Sequence, residues 1–289
     1  MNCSFRPVFK GGKALSYCAL ALAAGLLASI SPAQIVNLSS GNSTASVNLG
    51  TQAGMNSWNI NGVNQLNQQW FWVRNDNDPT GQHSLDTLPH TFTSSANSLS
   101  ATYVASAYTI NISYQLLGGA SGGTDWHSEI TESISLQNTS GGALNLHFFQ
   151  YSDFNLLGTT GGERAQIFQN GGFFTKATVV KLASQVAETI DTPLANHAEA
   201  GLTSDSPNTL ARLNSGAPIT LNDNLTSGPH ATADATWALQ WDFNMASGEI
   251  VDVMKDKKLS VAPIPEPGTL ALLSLGLAAF AFCRKRRCA

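Results

Sequence analysis

The chain has 289 residues, 12% of them charged, 43% hydrophobic and 8% aromatic, with a formal net charge of −4. That figure hides a split, because residues 34–262 hold 18 acidic and 8 basic side chains while cations gather at the two ends. So acidic a central region repels phosphate backbones, which excludes nucleic acid as a partner. All four cysteines (Cys3, Cys18, Cys283, Cys288) lie near the termini. The central region can therefore form neither a disulfide framework nor a thiolate metal site, and a hydrophobic core must hold it.

Arg6, Lys10 and Lys13 precede the apolar run 14–30, and Ser31-Pro32-Ala33 follows it. A charged segment, an apolar segment and a small-residue site in that order predict a secretory signal peptide over 1–33. The secretion machinery would engage it, and signal peptidase would cut after Ala33. Beyond it, short runs of alternating apolar and polar residues are separated by Gly, Asn, Ser and Thr turns, with no internal repeat. The pattern predicts strands over 45–49, 57–63, 69–74, 99–105, 107–117, 126–137, 143–154, 164–169, 173–182, 218–222, 235–244 and 249–253. Two hairpins are expected: 129–137 with 143–154 around the turn 138–142, and 165–168 with 173–180 around Asn170-Gly171-Gly172. In the first, Gln137 opposite Ala143 puts Ile130, Ile134 and Leu136 on one inner face with Leu144, Leu146 and Phe148. A short helix is expected over 207–213, with Ser206 as N-cap and Pro207 at its first position. The rest of 183–217 reads as loop. The predicted fold is all-β: a two-sheet antiparallel β-sandwich over 34–262, flanked by an N-terminal signal helix and a C-terminal transmembrane helix.

The sequence contains no G-x-S-x-G elbow, no H-E-x-x-H pair and no phosphate-cradling glycine loop, and no residue is assigned a catalytic role. Glu129 and Glu132 are an odd number apart, hence on opposite faces of a strand, and cannot act as a pair. Glu132 falls on the apolar face with Ile130 and Ile134. There a carboxylate needs a partner such as Arg74 or Arg164, unless the register turns it outward. Asp125, His127 and Glu129 share the other face, with Asp153 opposite His127 in the expected hairpin. A transition metal can use that set, but a solvated polar face is the plainer reading.

Residues 75–81, Asn-Asp-Asn-Asp-Pro-Thr-Gly, carry the alternating oxygens that open a calcium loop. Asp76, Asp78 and Asp86 are the candidate Ca2+ ligands, an ordinary turn being the alternative; no other cofactor is indicated. Trp70 and Trp72 share one face, as do Trp237 and Trp241. These four rings are the candidate sugar-stacking platform, against a plainer role as core. The six histidines are dispersed and read as surface or loop residues.

The C-terminus reads Pro263-Ile264-Pro265-Glu266-Pro267-Gly268, then the uncharged stretch 269–283, then Arg284-Lys285-Arg286-Arg287. Pro265 and Pro267 hold Glu266 in an extended, accessible segment that a protease cleft can bind. As a helix the uncharged stretch reaches about 23 Å, short of a bilayer core of about 30 Å unless Arg284 snorkels and the bilayer thins. The four cations form a stop-transfer block that stays cytoplasmic. This tail, 263–289, resembles the PEP-CTERM sorting signal of certain Gram-negative bacteria, and the resemblance covers the tail alone. It implies that Pro265, Glu266 and Pro267 are recognised by exosortase, a membrane protease. The protein would be exported, held transiently in the inner membrane by its tail, then passed to the cell surface or beyond.

Bacteria with such proteins typically make exopolysaccharide. The resemblance thus implies a non-enzymatic envelope or matrix protein associated with exopolysaccharide or biofilm. The alternatives are a carbohydrate-binding module, which needs Trp rings exposed in a groove, and a polysaccharide hydrolase or lyase, which needs carboxylates converging in a cleft.

Overall fold

The computed structural model describes residues 34–123 and 125–262. The segments read as signal helix and transmembrane helix lie outside those residues. Among the described ones, no helix is long and apolar enough to cross a membrane. The chain runs through β1 (Ile35–Ser40), β2 (Ser43–Asn48), β3 (Gly54–Ile60), β4 (Val63–Asn64), β5 (Leu66–Asn75) and β6 (His83–Ser84). It continues through β7 (His90–Ser94), β8 (Ser98–Val104), β9 (Tyr108–Gly118), β10 (His127–Asn138), β11 (Leu144–Phe154) and β12 (Arg164–Asn170). The last set is β13 (Phe173–Lys181), β14 (Ser184–Thr192), β15 (His197–Leu202), helix α1 (Thr209–Leu213), β16 (Thr226–Ser227), β17 (Ala235–Met245) and β18 (Ile250–Ser260).

These strands build two nine-stranded sheets. The first follows the order β1-β2-β3-β5-β11-β17-β15, with β4 on β3 and β6 on β5. The second follows β16-β12-β13-β14-β18-β10-β9-β8-β7. Pairing is antiparallel except where β3 meets β5 at Gln69. There Gly54 has φ +54°, and a Cβ would lie 2.3 Å from the Gln69 carbonyl oxygen, so only glycine fits. Alternate side chains of both sheets fill the space between them. Phe71 stacks on Phe148 (5.4 Å between centroids) and Phe154 on Trp237 (5.1 Å).

The second expected hairpin is present as β12–β13. The first is not. β10 pairs with β9 and β18, and β11 with β5 and β17, so 139–143 carries the chain from one sheet to the other. The Asn138 amide fastens this crossing by donating to the carbonyls of Gly142, Met245 and Ala246. The two apolar sets of the expected hairpin are both buried, but in different sheets. Asp153 faces Thr236 and Gln68 across the ladder, not His127. The supposed loop 183–217 contains β14 and β15, and 218–222 is not a strand. Helix α1 starts later than expected and is capped by Asn208, whose side-chain oxygen accepts from Ala211 N–H at 2.8 Å.

Glu132 points inward, and its partners are neither Arg74 nor Arg164. Lys255 and Lys257, two apart on β18, both reach its carboxylate. Lys255 also donates to Glu188 of β14 at 3.0 Å. The first sheet closes the cluster. Gln69 donates to Glu132 (2.7 Å), Gln150 to Glu188 (2.7 Å), and Trp237 Nε1–H to Glu188 (3.0 Å). All four charged residues are buried. Burial pushes the Glu132 carboxyl up, but the two ammoniums outweigh it and hold it at about 2. Asp153 has no such counter-charge. Burial, with Asp234 and Glu163 nearby, lifts it to about 6 against the hydrogen bond from Asn67.

Two outcomes follow for stability. Lys255→Met leaves two buried carboxylates short of a partner and should cost about 3–5 kcal/mol in urea unfolding. The Glu132 contribution is present above pH 4.5 and is lost as pH falls toward 2, so the penalty should shrink on acidification. Asp153 works in the opposite sense, since its folded form prefers the proton. Its contribution is present below pH 3.8 and lost as pH rises through 6. Asp153→Asn should therefore gain stability over the parent across that window and hold the gain above it.

Candidate active site on the outer face of the first sheet

The outer face of the first sheet is partly roofed by residues 203–225. Gln82 donates to the Leu213 carbonyl (2.8 Å), Trp72 Nε1–H to Asn214 (3.0 Å), and Leu221 N–H to the Gln240 side chain (3.0 Å). Glu199 anchors the roof by accepting from Thr209 (2.6 Å), Arg212 (2.5 Å) and Asn222 N–H (2.8 Å).

Beyond the roof's edge, outward positions of β5, β11, β17 and β15 come together. Register places His147 between Arg74 and Asp242, and His197 opposite Gln240. His147 Nδ1 lies 2.6 Å from Asp242 Oδ1, and its Nε2 lies 2.8 Å from Asp76 Oδ1. Both partners are acceptors, so both ring nitrogens donate and the ring is an imidazolium. His197 extends the chain, with Nδ1 3.0 Å from Asp223 Oδ2 and Nε2 3.5 Å from Asp242 Oδ2. Five side chains thus alternate carboxylate and imidazole across the sheet.

Burial disfavours the His147 charge, but the hydrogen bonds to Asp242 and Asp76 prevail and its pKa is raised. Asp242 is lowered because the His147 and Gln240 hydrogen bonds overcome its burial. Asp76 is lowered chiefly by the His147 hydrogen bond. Backbone and amide contacts aim the acids: Asn145 donates to Asp76 (3.1 Å), Gln240 to Asp242 (2.8 Å), and Ala198 N–H to Asp223 (3.0 Å). The His147 side chain is 17% exposed and that of Asp76 49%, so the row is open to solvent. Arg74 is buried beside it, donating to the Ile219 carbonyl (3.3 Å) with its Nε unpaired.

Of the sequence candidates, only Asp76 belongs to this row. Asp78 instead accepts from Thr80 N–H (2.9 Å) and faces His83 (2.8 Å). Asp86 accepts from Ser84 and from Trp70 Nε1–H (3.2 Å). The three expected calcium ligands turn to separate partners. Among the described residues, no three His, Cys, Asp or Glu side chains are placed to hold a metal ion. Asp125 bonds His127, and Glu129 lies 3.7 Å from Lys258, as on a solvated polar face.

The stacking platform is also corrected: Trp70, Trp72, Trp237 and Trp241 are all fully buried. Trp237 and Trp241 lie between the sheets, where large rings fill the core. Trp72 lies on the outer face under Asn214, while the Trp70 ring packs edge-on against Tyr103 of the second sheet with its Nε1–H held by Ser84 and Asp86. His147 and His197, dispersed in sequence, are the site residues that the spacing did not reveal.

No curated protein matches the chain. Solved structures with this fold include a bacterial glucoamylase complexed with acarbose. It is 9% identical, with TM-score 0.54 over 85% of this chain and 36% of that one. A galactose mutarotase related enzyme from Lactobacillus acidophilus is 8% identical, with TM-score 0.50 over 79% of this chain and 100% of that one. The chain thus spans about a third of the glucoamylase. At these identities the likeness is one of fold. It nonetheless overturns the expectation of a non-enzymatic domain, because both neighbours built on this sandwich are enzymes. At the other end of the chain, residues 263–287 match the PEP-CTERM protein-sorting motif, which marks this as an exported protein whose tail is processed by the membrane protease exosortase.

Proposed function

We propose that the exported domain is a carbohydrate-active enzyme whose reacting groups are His147, Asp242, His197 and Asp76. The observation that carries this reading is the bracketing of His147 by two carboxylates at the open edge of the roofed face. With Nδ1–H held by Asp242, the His147 imidazolium can give its Nε2 proton to a sugar oxygen that takes the place of the half-exposed Asp76 carboxylate, itself an acceptor. Acid–base chemistry at a ring or glycosidic oxygen can use such a pairing. Asn145 and Asn244 are exposed on the same face and can meet sugar hydroxyls. The likeness of fold to a galactose mutarotase related enzyme and a glucoamylase supports sugar as the substrate class. A stacking module is not favoured, since both Trp pairs are buried. The reading requires no cofactor.

In this reading the uncharged stretch 269–283 holds the protein in the inner membrane after signal-peptide removal. Exosortase then frees the domain to the cell surface or the extracellular matrix, where exopolysaccharide is at hand. Intact-mass analysis of the exported protein should show a new C-terminus near Pro265–Gly268. Recovery of surface protein still ending in Arg284–Ala289 would count against this processing.

The chemistry is tested on a panel of aldoses by polarimetry and of oligosaccharides by reducing-end release. His147→Ala should lower kcat by about 10²–10⁴-fold with little change in the unfolding midpoint. Because the raised pKa keeps His147 protonated through pH 6.5, activity should hold there and decline only at higher pH. Asp242→Asn should move that decline to lower pH. Inertness toward every sugar, or full activity in His147→Ala, would sink the proposal.

A further inference from the structure

The described residues end at Ala262, immediately before the sorting motif. Val261 N–H donates to the Trp126 carbonyl (2.9 Å) and Ala262 N–H to Ser184 Oγ (2.9 Å). The motif begins at Pro263 and the uncharged stretch at Thr269. The seven steps from Ala262 to Thr269 span at most about 25 Å when fully extended. Whatever holds Thr269 also holds this end of the sandwich within that reach.

The residues around the exit are set by register. Arg164, Val180, Gln185, Ser260 and His127 form one row across five strands, and Lys258 stands beside Glu129 one step in. A shallow groove of about 350 Å³ opens there between Leu117, Gly118, His127 and Lys258. Arg164 is exposed, and the side chains of His127 and Lys258 are 74% and 69% exposed. The acids in this patch, Asp125 and Glu129, are about one-third exposed, and each faces one of these basic groups. At the same end Asp153, Glu163 and Asp234 are buried, and Asp205 is exposed on the first sheet's side. The opposite half of the strands carries Asp76, Asp78, Asp223, Asp242, Glu249 and Asp252. The second sheet's corner of the exit, where Arg164, His127 and Lys258 are exposed, is therefore the part of an acidic domain suited to approach negative charge.

We infer that, while the tail is in the bilayer, the domain stands on its β18 exit against an anionic membrane surface, with Arg164, His127 and Lys258 toward the lipid headgroups. This rests on the proposed reading of 269–283 as a membrane segment. The same posture holds the candidate active site clear of the lipid. The β11 strand end that leads into Asn155 lies at the exit side, where Asn155 N–H bonds Gln65. His147 is seven residues back along that strand, roughly 23 Å at normal strand rise.

The test uses residues 34–289, the chain left after signal-peptide removal, with Cys283 and Cys288 replaced by Ser and a single fluorophore at Leu117→Cys or Asn244→Cys. It is reconstituted in phosphatidylcholine vesicles with or without phosphatidylserine and a headgroup quencher. Quenching should be several-fold stronger at position 117 than at 244, greater with phosphatidylserine, and reduced by Arg164→Glu with Lys258→Glu. Equal quenching at both positions, or stronger quenching at 244, overturns the orientation. Quenching indifferent to phosphatidylserine overturns the headgroup contact. Failure of residues 34–289 to float with vesicles sinks the membrane reading of 269–283, and this inference with it, while leaving the sugar chemistry at His147 untouched.

Discussion

The buried set of Glu132, Glu188, Lys255 and Lys257 is the constraint around which the sandwich is arranged. Two acids and two bases cancel in charge, and every member comes from the second sheet. The first sheet supplies Gln69, Gln150 and the Trp237 indole to complete their hydrogen bonds. Purely apolar faces tolerate a slide of two residues, because the same face stays inside. Here such a slide of β18 would set Val253 against Glu132, or Leu259 against Glu188, and strand that carboxylate in the core, at a cost of several kcal/mol. The cluster therefore selects one register of β18 against β10 and β14 and one apposition of the two sheets. Its net worth relative to a hydrophobic core is a separate matter, since desolvating four charges offsets much of their attraction.

The same residues explain what the sequence concealed. Strand periodicity was readable wherever inward positions were apolar, as in Ile130, Ile134 and Leu136. It failed where they were charged. Lys255 and Lys257 sit on inward positions of β18, so its alternation fades after Val253. Glu188 interrupts Val186 and Ile190 in β14, and that strand reads as loop. The hairpin error has a different origin. A short Asn-Thr-Ser-Gly-Gly turn between two amphipathic strands looks the same whether it joins neighbours in one sheet or crosses between two. Only the Asn138 contacts to Met245 and Ala246, a hundred residues away, distinguish them.

The tryptophans and histidines exchanged the roles that composition suggests. Large rings are the obvious sugar-binding surface, yet Trp58, Trp237 and Trp241 fill the space between the sheets. Trp72 is enclosed beneath the roof, and Trp70 is sealed by residues 84–86 and Tyr103. The histidines looked incidental because no two stand at ligand spacing. Their partners are brought by register, with His147 meeting Asp242 from the next strand and Asp76 from the end of β5. A constellation assembled from three strands and two loops leaves no local trace in sequence. Only the type of residue at outward strand positions hints at it.

Topology then separates the chain's two tasks. A β-sandwich has two ends, and β18 leaves by one while the crossing at Asn138 and the turn before β18 occupy the other. The row of His147, Asp242 and His197 is built from strand segments nearer that second end, on the sheet that does not carry the tail. Its roof comes from 203–225, a long excursion between β15 and β17 that has no pairing duty in the first sheet. The segments that shape the candidate site can therefore vary without disturbing the register fixed by the buried ions. The exit of β18 cannot vary in the same way, because Lys255 and Lys257 lie within seven residues of Ala262. The strand that leads into the sorting motif is the one whose side chains lock the core.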